Sequence, residues 1–248
     1  MPDLKQTAIS ERPIHPPGTL GGNTQTKMDS RPAEFHCGYA ANEKEAIEKG
    51  RLILEKFEKY INLSPIIDLG CGEGAMLLAL MRGGRKEILG VDSNEELLRI
   101  ARQLQVPLVE SDIWDFLKTA TLRPAVYFYL DVMEHVSLEQ NLELFRRLPV
   151  GSRLILQTPN TESILGHSFY MNVPSHVAPY SPWVIKKMLG RFGYRLVSDG
   201  SVDWDHPPTW KNKIRAFVLL KVMGISAELI LGGGNYFAVV DRVENIGG

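Results

Sequence analysis

Apolar residues change their spacing twice along the chain. From Glu43 to Ile61 they stand at Ile47, Leu54, Phe57 and Ile61, in steps of seven, three and four, which is one face of an amphipathic helix. Beyond Ser64 short β-rich runs alternate with helical stretches. The runs predict strands over 65–69, 88–92, 108–111, 126–131 and 153–158, with helices over 75–81, 95–103, 115–120 and 138–147 between them. Such alternation predicts an α/β fold, a mainly parallel sheet with helices on both faces. A further helix over 181–192 starts at Ser181, a good N-cap, with Pro182 in its first turn, and stops near Gly193. Strands over 195–199 and 236–241 complete the pattern.

About 35 residues separate those last two strands, more than a hairpin needs. A helical insertion is expected at about 205–233, where Lys211, Lys213, Arg215 and Lys221 stand beside Ile214, Phe217, Val218, Leu220 and Leu229. It reads as a helix packed on the domain or on a second subunit of a homodimer, or as a peripheral contact with a membrane surface or lipid-linked substrate. At the other end, residues 1–34 carry Pro13, Pro16, Pro17, Gly18, Gly21, Gly22 and Pro32 and few large apolar groups, so a flexible arm is expected there. Residues 35–248 then form the single domain.

Charge and cysteine content narrow the partners. The 248 residues hold 28 lysines and arginines against 29 aspartates and glutamates, a net charge of −1. No global field draws the chain to nucleic acid or anionic lipid. Two cysteines, Cys37 and Cys71, make no disulfide framework, which fits a reducing, cytoplasmic setting. The first ten residues hold no apolar core of signal-peptide length and no uncharged apolar run reaches the ~18 residues a membrane span needs, so neither secretion nor a transmembrane anchor is expected.

The chemistry concentrates at strand ends. The first strand runs into Asp68-Leu69-Gly70-Cys71-Gly72-Glu73-Gly74, where Gly70 and Gly72 let a ligand press against bare backbone and Gly74 lets the next helix start close by. A second strand ends in Asp92, and 92 − 70 = 22 residues is about the spacing at which nucleotide-binding folds place a carboxylate against a ribose diol. Asp92 also reads as a cap for the helix near Asn94. Asp68 and Glu73 would repel a pyrophosphate; they suit a ligand bearing an ammonium and a sulfonium. That argues against a nicotinamide-dependent oxidoreductase, whose loop spaces its glycines differently.

On these residues the sequence resembles the class I S-adenosylmethionine-dependent methyltransferases over 64 to about 200. The resemblance implies a Rossmann-like, mainly parallel seven-stranded sheet and S-adenosylmethionine as cofactor. It further implies that Asp68, Gly70, Cys71, Gly72 and Gly74 hold the methionine part, and Asp92 with Ser93 the ribose. Asp112 then reaches the adenine amino group while Ile113 covers its ring, and Asp131 lies at the cofactor's edge. Leu130-Asp131-Val132-Met133-Glu134-His135-Val136 and Leu156-Gln157-Thr158-Pro159-Asn160 are similar to phrases of the ubiquinone-biosynthesis O-methyltransferases. The stretch from Phe169 to Pro182 more weakly resembles methyltransferases of sugars and O-antigen glycans, with Asn172-Val173-Pro174-Ser175-His176 departing from the Asp-Pro-Thr-His often seen there.

Methyl transfer to a hydroxyl needs a held nucleophile and a base. His135 and His176 are the candidates, although each also reads as a surface or helix-capping histidine. Asp131, Glu134, His135 and His176 together offer oxygen and nitrogen donors for Mg, Mn or a similar divalent metal, as in relatives that place a Glu-x-x-Glu-His phrase before a later histidine, among them small-RNA 2′-O-methyltransferases. The expected acceptor is a small-molecule or glycan hydroxyl; metal-assisted RNA 2′-O-methylation is the alternative, and the missing basic stripe argues against it. Trp114, Trp183, Phe116 and Phe192 are expected in packing roles, and Tyr39 with 35–38 as a lid over the cofactor. Trp204, His206 and Trp210 are expected beside the acceptor.

Overall fold

A computed structural model describes residues 42–202 and 233–244. The arm at 1–34, the lid segment at 35–39, and the insertion at 205–233 except its last residue lie outside the described residues, as do Trp204, His206 and Trp210. What is described begins with α1 (Glu43–Phe57), capped by Asn42, whose Oδ1 accepts from Glu45 N at 3.1 Å. The helix expected to reach Ile61 tightens into a 3₁₀ turn at Glu58–Tyr60.

The alternation then appears in order. It runs β1 (Ile66–Leu69), α2 (Ala75–Arg82), β2 (Ile88–Asp92), α3 (Glu95–Gln103), β3 (Leu108–Glu110), α4 (Ile113–Thr119), β4 (Val126–Leu130), α5 (Leu138–Arg147) and β5 (Arg153–Pro159). It closes with α6 (Ile164–Asn172), α7 (Pro182–Arg191), β6 (Tyr194–Val202) and β7 (Asn235–Arg242). The seven strands pair in the order β3-β2-β1-β4-β5-β7-β6, all parallel except β7, which runs antiparallel to both neighbours. The chain steps outward from β1 to β3 and then returns to β4 on the other side of β1. A crevice therefore opens over the carboxyl ends of β1 and β4.

Both faces of the sheet are covered, so its central strands read as continuous apolar runs. In β4, Tyr127 and Tyr129 pack toward α4, α5 and α7, while Val126 and Phe128 pack toward α1, α2 and α3. Phe57 fixes α1 to that second face, meeting Phe128 edge-on at 6.2 Å between ring centroids and Phe237 at 5.7 Å. Burying such a ring contributes roughly 1.5–3 kcal/mol.

Ser181 caps α7 as expected, accepting from Val184 N at 3.3 Å, and Pro182 occupies its first turn. One expectation fails, and one element was not foreseen. Trp183 is 62% exposed on the outer side of α7, with Lys187 over its ring, whereas Trp114 and Phe116 are buried and Phe192 packs against the core. The helix α6 has no counterpart in the sequence pattern, because ILGHSFYMN spreads apolar groups around the axis and shows no face. Among the described residues no helix is long and apolar enough to cross a membrane.

α1 sits directly on the start of α2: a Cβ on Gly50 would lie 2.1 Å from Ala75 O and 2.9 Å from Ala79 Cβ. Gly50→Ala must push the helices apart. It is expected to cost about 1–3 kcal/mol and to lower the midpoint of thermal unfolding by about 5 °C, read by circular dichroism; an unchanged midpoint would contradict this packing.

Candidate active site

The glycine loop leaves β1 through three left-handed glycines, Gly70 at φ 88°, Gly72 at 53° and Gly74 at 77°. A side chain at Gly70 would be strained and would also meet Val132 Cγ2 at 2.4 Å. Gly70 N and Cys71 N both donate to Val91 O, at 2.8 and 3.1 Å, and Gly74 N closes the turn on Cys71 O at 2.9 Å. Cys71 is buried; burial and the charges of Asp68 and Asp92 push its thiol well up, which makes it a packing group and not a nucleophile.

Asp92 joins the loop to the second strand. Its Oδ2 accepts from Gly72 N and its Oδ1 from Asn94 N, each at 2.8 Å. The helix cap itself is Asn94, which accepts from Glu96 N and Leu97 N at the start of α3. Asp92 thus keeps oxygen lone pairs for a further donor. Ser111 N reaches Asp92 O at 2.9 Å, placing the end of β3 alongside. Asp112 caps α4 through Trp114 N and Asp115 N, at 2.8 and 3.3 Å, and Ile113 behind it is wholly buried in the core. Ser93 follows Asp92 and donates its backbone N–H to that carboxylate.

Four acids crowd this corner. Asp68, at 5% exposure, has its carboxyl pushed up to about 8 by burial and by the charges of Asp92 and Glu73, against the pull of Lys49. Burial also raises Asp92, opposed by the backbone N–H groups of Asn94, Gly72 and Ser93. Glu73 is buried and holds Lys49 Nζ at 2.7 Å. Asp131 stands at the end of β4 with φ 55°, an unusual backbone for a side-chain-bearing residue, and Gln157 Nε2 donates to both its oxygens at 3.1 and 3.0 Å. It is open to solvent yet hemmed by protein that raises its carboxyl, with Gln157, Lys49 and Lys56 opposing.

Beyond Asp131 the two histidines meet. The short turn Met133–His135 and the loop after α6 bring the rings of His135 and His176 to 4.7 Å between centroids. His176 lies under Tyr170, 5.1 Å between ring centroids, and its Nδ1 is 2.8 Å from Tyr170 O. A carbonyl only accepts, so Nδ1 carries a proton, and in the neutral ring Nε2 is the basic nitrogen. Nε2 is 4.0 Å from Oε1 of Glu134, whose Oε2 accepts from Thr158 Oγ1 at 2.9 Å. Burial, then the charge of Asp131, raises the Glu134 carboxyl well above its usual range. His176 is not a surface group, its side chain being 6% exposed, and His135 is half-buried.

Among the described residues Glu134, His135 and His176 form the one group with metal-ligand spacing, one donor atom of each lying within 4.8 Å of the others. Asp131, the fourth member expected from sequence, falls outside it, held by Gln157.

Several residues here escape sequence reading. Asn141, fully buried on α5, receives Tyr129 OH on Oδ1 at 2.9 Å and donates from Nδ2 to Met133 O at 2.9 Å and to Tyr180 OH at 3.0 Å. It ties the His135 turn to the His176 loop, which Val177 N also joins through Glu134 O at 2.8 Å. Lys49 and Lys56, seven residues apart on α1, share a helix face; that spacing was visible, but nothing in it named the acids they meet. Lys56 lies 4.1 Å from the Phe237 ring centroid, and burial lowers its amine to about 7 against the pull of Asp131.

Residues 66–149 match the profile of a methyltransferase domain. No curated protein matches the sequence. Solved structures of the same fold include a SAM-dependent methyltransferase from Archaeoglobus fulgidus, 21% identical, covering 78% of this chain and 94% of that one with a TM-score of 0.62. A possible histamine N-methyltransferase from Thermotoga maritima is 16% identical over 80% of this chain and 93% of that one, at 0.54. Magnesium protoporphyrin IX methyltransferase from Synechocystis PCC 6803, with bound SAH, is 18% identical over 85% and 91%, at 0.52. The fold is that of the class I methyltransferases. Residues 66–149 match a methyltransferase domain, and the chain is an enzyme. The methyltransferase match also displaces the oxidoreductase alternative.

Asn141→Leu leaves the Met133 carbonyl and the Tyr129 and Tyr180 hydroxyls buried without their amide. It is expected to cost roughly 2–4 kcal/mol. In ¹⁵N-edited spectra the wild-type protein should show His176 protonated at Nδ1, and the variant a mixture of tautomers; a wild-type Nε2–H tautomer would contradict the geometry.

Proposed function

We propose that the chain transfers a methyl group from S-adenosylmethionine to a hydroxyl of a small molecule or glycan. The observation that carries this reading is the recess of buried carboxylates beneath a glycine loop, inside the segment that matches a methyltransferase domain. When bound, the cofactor supplies an electrophilic methyl on a positively charged sulfur. Asp68 and the loop backbone of Gly70, Cys71, Gly72 and Gly74 hold its methionine end. Asp92 accepts from the ribose hydroxyls beside Ser93, and Asp112 and Ile113 border the adenine. Asp131 lines the floor between cofactor and acceptor.

His176 is the better base of the pair. With Nδ1 held on Tyr170 O, Nε2 is the nitrogen that takes a proton leaving the acceptor oxygen when the ring is neutral. His135 packs edge-on against His176, 4.7 Å between ring centroids, and keeps that ring in place. Similarity of the Asp131–Val136 and Leu156–Asn160 phrases to ubiquinone-biosynthesis O-methyltransferases supports oxygen as the accepting atom. The neighbours of this fold act on differing acceptors by their names, so the fold leaves the acceptor open.

A second reading rests on one observation: two imidazoles and a carboxylate within 4.8 Å suit a divalent transition metal that orients the hydroxyl, with Tyr170 O and Thr158 Oγ1 holding His176 and Glu134. EDTA separates the two readings. In a screen of hydroxylated metabolites and sugars, full turnover in chelator eliminates the metal; loss restored by Mn or Mg, together with loss in Glu134→Ala, eliminates the metal-free base.

Cofactor binding is tested by calorimetric titration. Micromolar affinity for S-adenosylmethionine should weaken about ten- to hundredfold in Asp92→Ala, which removes charge-assisted hydrogen bonds; no binding by the wild-type protein would overturn the assignment. The pH dependence has a defined sign. Asp68 is largely protonated below about 8, and a bound cation favours its ionised form, so binding releases a proton and tightens as pH rises toward 8, by up to about tenfold per unit. Asp68→Asn should lose that slope.

A further inference from the structure

We propose that Glu73 is a specificity-determining residue that cancels the charge of Lys49 at the cofactor recess and so sets how far the pocket prefers S-adenosylmethionine to its uncharged-sulfur product, S-adenosylhomocysteine. The inference rests on the reading of this recess as the cofactor site.

The geometry is that of a built pair. Glu73 lies in the glycine loop at 2% side-chain exposure, while Lys49, 38% exposed, reaches it from α1 with Nζ 2.7 Å from Oε1. The helix carrying the lysine has little freedom to withdraw, because Gly50, the next residue, abuts Ala75 just beyond the loop. Glu73 lies close enough to raise both Asp68 and Asp92, and Lys49 close enough to lower Asp68 and Asp131. Both members therefore act on the carboxylates expected to face the methionine and ribose of the ligand.

The product differs from the cofactor in the missing methyl and in losing the charge on sulfur; ammonium, carboxylate, ribose and adenine are common to both. Attraction by Asp68, Asp92 and Asp131 favours the charged sulfur, whereas an uncancelled Lys49 beside them would repel it. A neutral pair leaves the preference to the remaining acids. Damage to packing weakens both ligands alike, but a change of net charge moves their ratio.

The test is the ratio of dissociation constants for the two ligands, measured by calorimetry at fixed ionic strength on the full chain. In Glu73→Gln the lysine keeps its charge, and the ratio should move toward the product by about fivefold. In the double variant Lys49→Met with Glu73→Gln the recess regains its net charge, and the ratio should return to within about twofold of wild type. Lys49→Met alone, read at pH 9, should move the ratio the other way, toward the sulfonium, and serves if Glu73→Gln does not fold. An unmoved ratio in the single variants, or a shift that the double variant fails to reverse, overturns the inference. Binding of neither ligand by the wild-type protein would instead overturn the reading of the recess itself.

Discussion

The arrangement of this molecule depends on keeping four carboxylates close together at the ends of β1, β2 and β4, three of them, Asp68, Glu73 and Asp92, out of water. Like charges in such a place raise one another's affinity for protons and would push the strand ends apart if nothing answered them. Three kinds of group answer. Backbone N–H groups of Gly72, Ser93 and Asn94 converge on Asp92, the Gln157 amide holds Asp131, and two lysines reach in from α1. Asp68, opposed only by the charge of Lys49, is the least compensated and has its carboxyl pushed up to about 8. A pocket balanced in this way attracts a cation and gains charge when the cation arrives.

The need to answer the acids explains the place of α1. The helix is the first described element and lies outside the β/α alternation, yet Phe57 locks it to the sheet between Phe128 and Phe237, and Gly50 brings its backbone against α2. Packing so close sets Lys49 opposite Glu73 and brings Lys56 under the influence of Asp131. Apolar contacts on one face and charge compensation on the next are thus two results of one helical register.

On the acceptor side, precision comes from a buried polar network. One amide, that of Asn141, links Tyr129 on β4, the carbonyl of Met133 and the hydroxyl of Tyr180, so two segments forty residues apart present His135 and His176 as a pair. In a low-dielectric interior such bonds are costly to leave unmade, which favours a single arrangement. Tyr170, contributed by α6, completes the setting of His176.

Local sequence determined the alternation of strands and helices, the glycine loop, the acid ending β2 and the cap at Ser181. Each of these is a property of neighbouring residues: a period, a positive φ, or a side chain that reaches its own backbone. The helix α6 and the exposure of Trp183 were not legible, because a helix without an apolar face and the outward turn of one aromatic depend on what packs nearby. The histidines were legible as candidates from their phrases. Their contact, the tautomer of His176 and the exclusion of Asp131 from the metal-spaced group were decided by tertiary structure, since these follow from distances between segments that no local pattern encodes. The same holds for Lys49 and Lys56: their spacing puts them on one helix face, but only the docking of that helix decides which carboxylates they neutralise.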